Sequence, residues 1–106
     1  MPMTDNSDST VIDRVSEKTK LPPRWNIVFH NDDYTPMDFV IFVLIGVFSM
    51  TEEKANEIMM TVHKQGKAIA GTYSLDIAQT RQMQVDSYSK HFQHPLQTTL
   101  EPTEPE

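Results

Sequence analysis

From residue 24 to 30 apolar and polar side chains alternate, with Trp25, Ile27 and Phe29 on one side and Asn26, Val28 and His30 on the other. A period of two predicts a half-buried strand. The run Phe39-Val40-Ile41-Phe42-Val43-Leu44-Ile45-Gly46-Val47-Phe48 is apolar all round. Within it Phe39/Val40, Val43/Leu44 and Val47/Phe48 recur at helical spacing as a core stripe. A membrane span needs roughly 20 such residues, so this shorter run predicts a core helix. Ser49 and Thr51 offer alternative caps for a second helix. Glu52 and Glu53 would complement its N-terminal dipole, Ala55, Ile58, Met59 and Val62 form its apolar face, and Gln65-Gly66 is its stop.

Residues 67–73 are too short and glycine-rich for a good helix and predict a strand. Ser74 then caps a third helix over 75–90, with Asp76 in its first turn, a thin stripe of Ile77, Ala78, Val85 and Tyr88, and Arg81 on the wet side. Pro95 cannot continue a helix, and Leu96, Thr98 and Leu100 alternate with Gln97, Thr99 and Glu101 as a last strand. The order β-α-α-β-α-β predicts an α+β fold, a small three-stranded antiparallel sheet covered by three helices. The domain is expected over 23–101. Residues 1–22, polar but for a weak Val11, Ile12 and Val15 spacing, are expected to be a disordered tail, as are 102–106.

Between the first strand and the first helix lies Asn31-Asp32-Asp33-Tyr34-Thr35-Pro36-Met37. Thr35-Pro36-Met37-Asp38 has the form of a capping box, with Pro at the first helical position. The carboxylates just upstream would then sit near the positive end of a helix dipole, making a rigid anionic rim. With 15 acidic against 9 basic residues the net charge is −6. That argues against nucleic acid and anionic membranes and suits an amine-bearing ligand. The chain has no cysteine, hence no disulfide or thiolate chemistry, and its N-terminus shows no secretory pattern, so the cytoplasm is the expected location.

Asp32 and Asp33 with His63 could suggest acid-base catalysis, but no Ser, Cys or Thr carries a nucleophile signature, and no enzyme is expected. His30, Asp32, Asp33 and His63 match neither an EF-hand loop nor a zinc spacing, so neither metal nor cofactor is expected. By pattern alone, Asn31 and Asp32 do turn and capping work, and His63 is a surface histidine at a helix end.

The blocks Trp25-Asn26-Ile27-Val28, Asn31 to Val40, Val62-His63-Lys64-Gln65-Gly66-Lys67-Ala68 and His94-Pro95-Leu96 closely resemble the ClpS family. These are the bacterial adaptors that deliver N-end-rule substrates to a Clp AAA+ protease. The resemblance implies that Asn31, Asp32 and His63 take the α-amino group of a substrate whose first residue is Leu, Phe, Tyr or Trp. It also implies that Thr35, Met37, Val40, Met59, Val62 and Leu96 line or rim the side-chain pocket. Asp76 and Arg81 stand where an acidic and a basic residue of the third helix contact the N-terminal domain of a ClpA-type unfoldase. The protein is expected to work as a monomer; the alternative is a stand-alone peptide-binding regulatory module of the same fold. Phe42, Ile45 and Gly46 depart from the family, whose members often have polar residues there. Phe42 and Ile45 are expected to be exposed together, and to cover part of the tail, a second copy or the unfoldase.

Overall fold

The computed structural model describes residues 21–103. The expected tails therefore lie outside the described residues, apart from Leu21, Pro22, Pro102 and Thr103. The elements are β1 (Trp25–His30), α1 (Met37–Phe48), α2 (Glu52–Gln65), β2 (Lys67–Tyr73), α3 (Leu75–Phe92) and β3 (Gln97–Pro102). The three strands form one antiparallel sheet in the order β2-β1-β3. This is the architecture that the alternating and helical periods predict.

β1 is central, and its Ile27 and Phe29 enter the core under the helices. Val28 was expected on the open face, yet it too is buried. It stands between Ile69 of β2 and Thr99 of β3, and a strand flanked on both edges hides even its outward side chains. On that face the Thr72 hydroxyl donates to Asn26 Oδ1 at 2.7 Å, and His30 Nε2 pairs with Thr99 Oγ1 at 2.8 Å. The β1–β2 register shifts between Ile27 and Val28: Ile27 faces Gly71 and Val28 faces Ile69. Ala70 is thus the extra residue of a bulge, and it is buried in the core.

α1 packs through Phe39, Val40, Val43, Leu44 and Val47, and α2 through Ala55, Ile58, Met59 and Val62, the faces the spacing predicts. Of the two caps open to α2, Thr51 is used: its hydroxyl oxygen accepts the Lys54 N–H at 3.1 Å. Gly66 ends the helix at φ 94°, a left-handed conformation suited to glycine.

α3 differs from expectation. It runs to Phe92 and ends on Gln93, a non-glycine residue in the left-handed region. Ser74 occupies the N-cap position, but its hydroxyl donates to Asp76 Oδ1 at 2.7 Å instead of accepting a helix N–H. Ile77, expected in the buried stripe, is 43% exposed. The helix packs through Ala78, Gln82, Val85 and Ser89, a seam of four-three-four spacing from which Ile77 is turned by about 100°. Gln82 holds its place there by donating to both the carbonyl and the hydroxyl oxygen of Thr98.

Phe42 and Ile45 are 48% and 38% exposed, but Phe42 is not bare. Its ring meets those of Tyr88 and Phe92 edge-on, with centroids 5.4 and 5.7 Å away.

Candidate functional site

A cleft of about 260 Å³ opens between the loop after β1, the first turns of α1 and the last turns of α2. Its lining comprises Asn31, Asp32, Asp33, Thr35, Met37, Val40, Met59, Val62 and His63. Of the nine residues singled out from the sequence for the amine and side-chain pocket, eight converge here. Leu96 does not: it is buried at 6% exposure and borders a different groove, with Lys90, His94 and Pro95. Asp33, given no part in the pocket by the sequence, lines the cleft. Its adjacency to Asp32 was the available signal.

The loop is built around Asp32. Its Oδ1 accepts the N–H groups of Tyr34 and Thr35, each at 2.7 Å, and its Oδ2 accepts the Thr35 hydroxyl at 2.7 Å. The expected capping box is therefore not formed. The N-cap position of α1 is Pro36, whose carbonyl receives the N–H groups of Phe39 and Val40, and no side chain caps it. Thr35 lies one residue before that position, and its hydroxyl donates to Asp32 instead.

These bonds set the charge of the rim. Burial pushes the Asp32 carboxyl up, but the Thr35 hydroxyl, the Tyr34 and Thr35 N–H groups and the positive charge of His94 together outweigh it and hold the carboxyl below 3.8. Asp32 is thus an anion at neutral pH, with Oδ2 carrying only one internal bond.

A second bond joins the two halves of the rim. The Asn31 N–H donates to the Gly66 carbonyl at 2.8 Å, which fixes the loop against the C-terminal end of α2, three residues beyond His63. Asn31 and His63 are both exposed, whereas Val40, Met59 and Val62 below them are each less than 8% exposed. Met37, at 43% exposure, stands at the mouth on the first residue of α1. The arrangement has acceptors above and hydrocarbon below. An amide carbonyl, a carboxylate and an imidazole nitrogen can receive the hydrogens of an ammonium, and the floor can take an apolar group attached to it.

The other candidate constellations are dispersed. His30 is engaged with Thr99 on the sheet's open face, and among the described residues no group of three or more His, Cys, Asp or Glu could hold a metal ion. No described helix is long and apolar enough to cross a membrane. Asp76 and Arg81 lie on α3, outside the cleft. The Ser74 hydroxyl, then the Ile77 N–H, hold the Asp76 carboxyl below its ordinary value.

The family described as ATP-dependent Clp protease adaptor protein ClpS matches residues 20–99. The Clp protease adapter protein ClpS of Vibrio atlanticus is 53% identical over 93 residues, covering 88% of each chain. The adapter ClpS of Pectobacterium carotovorum is 47% identical over 95 residues, covering 90% of each. Among solved structures, Agrobacterium tumefaciens ClpS2 bound to L-phenylalaninamide superposes with a TM-score of 0.75 at 38% identity, over 77% of this chain and 99% of that one.

Proposed function

This chain belongs to the ClpS family of ATP-dependent Clp protease adaptor proteins, and from that premise we propose that its cleft holds the first residue of an N-degron. The protein is an adaptor that binds N-end-rule substrates and delivers them to a Clp protease. In our reading the α-ammonium is received by Asn31, Asp32 and His63, and a Leu, Phe, Tyr or Trp side chain enters between Met37, Val40, Met59 and Val62, with Thr35 at the rim. One observation carries this: the acceptors and the apolar floor share a single small cleft. L-Phenylalaninamide, the ligand of the Agrobacterium relative, joins an α-amine to a benzyl group and so has both halves that this cleft is built to take.

Each half selects. A blocked amine brings no charge and leaves acceptors unpaired, while a small or polar first residue leaves the floor unfilled. Leu96 takes no part in this reading. The adaptor acts by binding alone, without cofactor or catalytic step, as a cytoplasmic monomer. It reaches a ClpA-type unfoldase through Asp76 and Arg81, two of the charged residues of α3, which lie outside the cleft.

The test is a pair of Phe-initiated peptides, identical but for N-acetylation, titrated against the protein. Acetylation removes the charge and two of the hydrogens these acceptors receive, and a hydrogen bond to a charged group contributes about 1.5–3 kcal/mol, so the acetylated peptide should bind at least about tenfold more weakly. Equal binding of the two would overturn the amine assignment. A Phe-initiated reporter protein should in addition be degraded by the unfoldase and its peptidase only when the adaptor is present.

A further inference from the structure

Arg81 is not a freely solvated surface charge. Its guanidinium carbon lies 5.9 Å from the centroid of the Tyr73 ring, within the range of a cation–π contact. Its Nε is buried without a hydrogen-bond partner among the described residues, and its Nη1 donates to Gln84 Oε1 at 3.3 Å. The ring that carries it is wedged in turn, stacked on Phe48 of α1 with centroids 6.4 Å apart and planes 28° from parallel.

That ring position depends on one residue. Gly71 and Tyr73 are two apart on β2 and so share a face of the sheet, and the Tyr73 ring lies back along its own strand over Gly71. A Cβ on residue 71 would stand 2.7 Å from Tyr73 Cε2 and from Oη, and 2.9 Å from Cζ. Nothing about the Gly71 backbone demands glycine, because its φ lies outside the left-handed region. The requirement is space for the ring. Any other residue there would drive the ring off the strand, and with it the surface on which Arg81 rests.

We infer that Gly71 and Tyr73 are positioning residues for unfoldase docking, with Gly71 admitting the Tyr73 ring and the ring holding the Arg81 guanidinium in its docking position. The next residue does the same for the other charge, since the Ser74 hydroxyl fixes the Asp76 carboxylate. The β2–α3 junction thereby presets both charged groups before the unfoldase arrives. Less side-chain freedom is then lost on docking. This inference rests on the reading of Arg81 as an unfoldase contact.

The experiment measures the affinity of the full chain for a ClpA-type unfoldase, with binding of a free-amine Phe peptide as a check that the fold and cleft are intact. Arg81→Ala should weaken unfoldase binding by about fivefold, the upper range for a partly exposed charge. Gly71→Ala and Tyr73→Leu should each weaken it by about two- to fivefold, and Tyr73→Phe, which keeps the ring face, should restore it. All four variants should bind the peptide like the parent chain. In an Arg81→Ala background neither Gly71→Ala nor Tyr73→Leu should weaken docking further, because each acts through Arg81. If Arg81→Ala leaves unfoldase affinity unchanged, the docking role of Arg81 fails and the inference falls with it. If Arg81→Ala weakens docking but Tyr73→Leu does not, or if the losses add in the double variants, the inference alone is overturned. Tyr73→Leu introduces no clash at Gly71, so it decides the matter even if Gly71→Ala does not fold.

Discussion

Asp32 Oδ2 accepts the hydroxyl hydrogen of Thr35 at 2.7 Å, closing a ring of contacts within the loop that rims the cleft. Thr35→Val keeps the shape of the side chain and deletes this donor. A hydrogen bond to a charged group contributes about 1.5–3 kcal/mol, and partial exposure here places the loss at the lower end. At about 4–8 °C per kcal/mol for a domain of this size, a thermal melt should fall by several degrees, and free-amine peptides should bind more weakly. Thr35→Ser should retain most of both. An unchanged melt in the Val variant would show that the hydroxyl does not hold the loop.

Acid should act on the same carboxylate. Its folded value is depressed, so the stability it contributes is fully present above the ordinary carboxylate range and is lost as pH falls below 3.8 through that lower value. Urea unfolding followed from about pH 5 down to about pH 2 should show the parent chain losing stability, with a shallower decline in Asp32→Asn, which has no proton to gain there. Parallel acid limbs would assign the loss to other carboxylates.

Met37 stands at the mouth of the cleft, and in the binding mode we propose a first residue branched at its β-carbon would bring an extra methyl group against it. Cutting Met37 back to Ala should relax the exclusion of Ile and Val while leaving Leu and Phe bound. Titrating Ile- and Leu-initiated peptides against both proteins checks this, and an unaltered Leu-over-Ile preference would acquit Met37.

Gly66 should be sensitive for a backbone reason. No atom lies within 4 Å of where its Cβ would sit, yet its φ is +94°. Gly66→Ala should therefore cost about 1–2 kcal/mol of strain, seen as a lowered melt. Its carbonyl is the partner of the Asn31 N–H, so peptide affinity should fall as well, although no ligand contact has been removed. Gly66→Asn, which tolerates the left-handed region better, should lose less.

The periods of β1, α1 and α2 were legible because each places large apolar residues at regular spacing and its face is what the core needs. α3 was less so. Two of its four seam positions are Gln82 and Ser89, polar residues that no hydrophobicity pattern marks, while the visible Ile77 stays outside. In the loop, Asp32 and Thr35 could serve either an Asx-type turn or a helix cap, and the helix starts one residue too late for Thr35 to cap it, with Pro36 at the N-cap position. The competition is settled by Asp32, whose Oδ1 also gathers two backbone N–H groups. Of the nine residues that the resemblance implied for the pocket, eight line the cleft. Leu96, though it stands in a motif block, borders another groove, which no local pattern around Pro95 reveals.

The bond from Asn31 to Gly66, with the three that converge on Asp32, bears on kinetics. These contacts are internal to the chain, so a peptide end meets a receptor whose contour is already set and need not wait for a loop to order. Arrival rates for different first residues should then cluster within the usual range of about 10⁵–10⁷ M⁻¹s⁻¹. Discrimination between a good and a poor degron would be written in dwell time, so a weak degron is sampled as often as a strong one and released before hand-over.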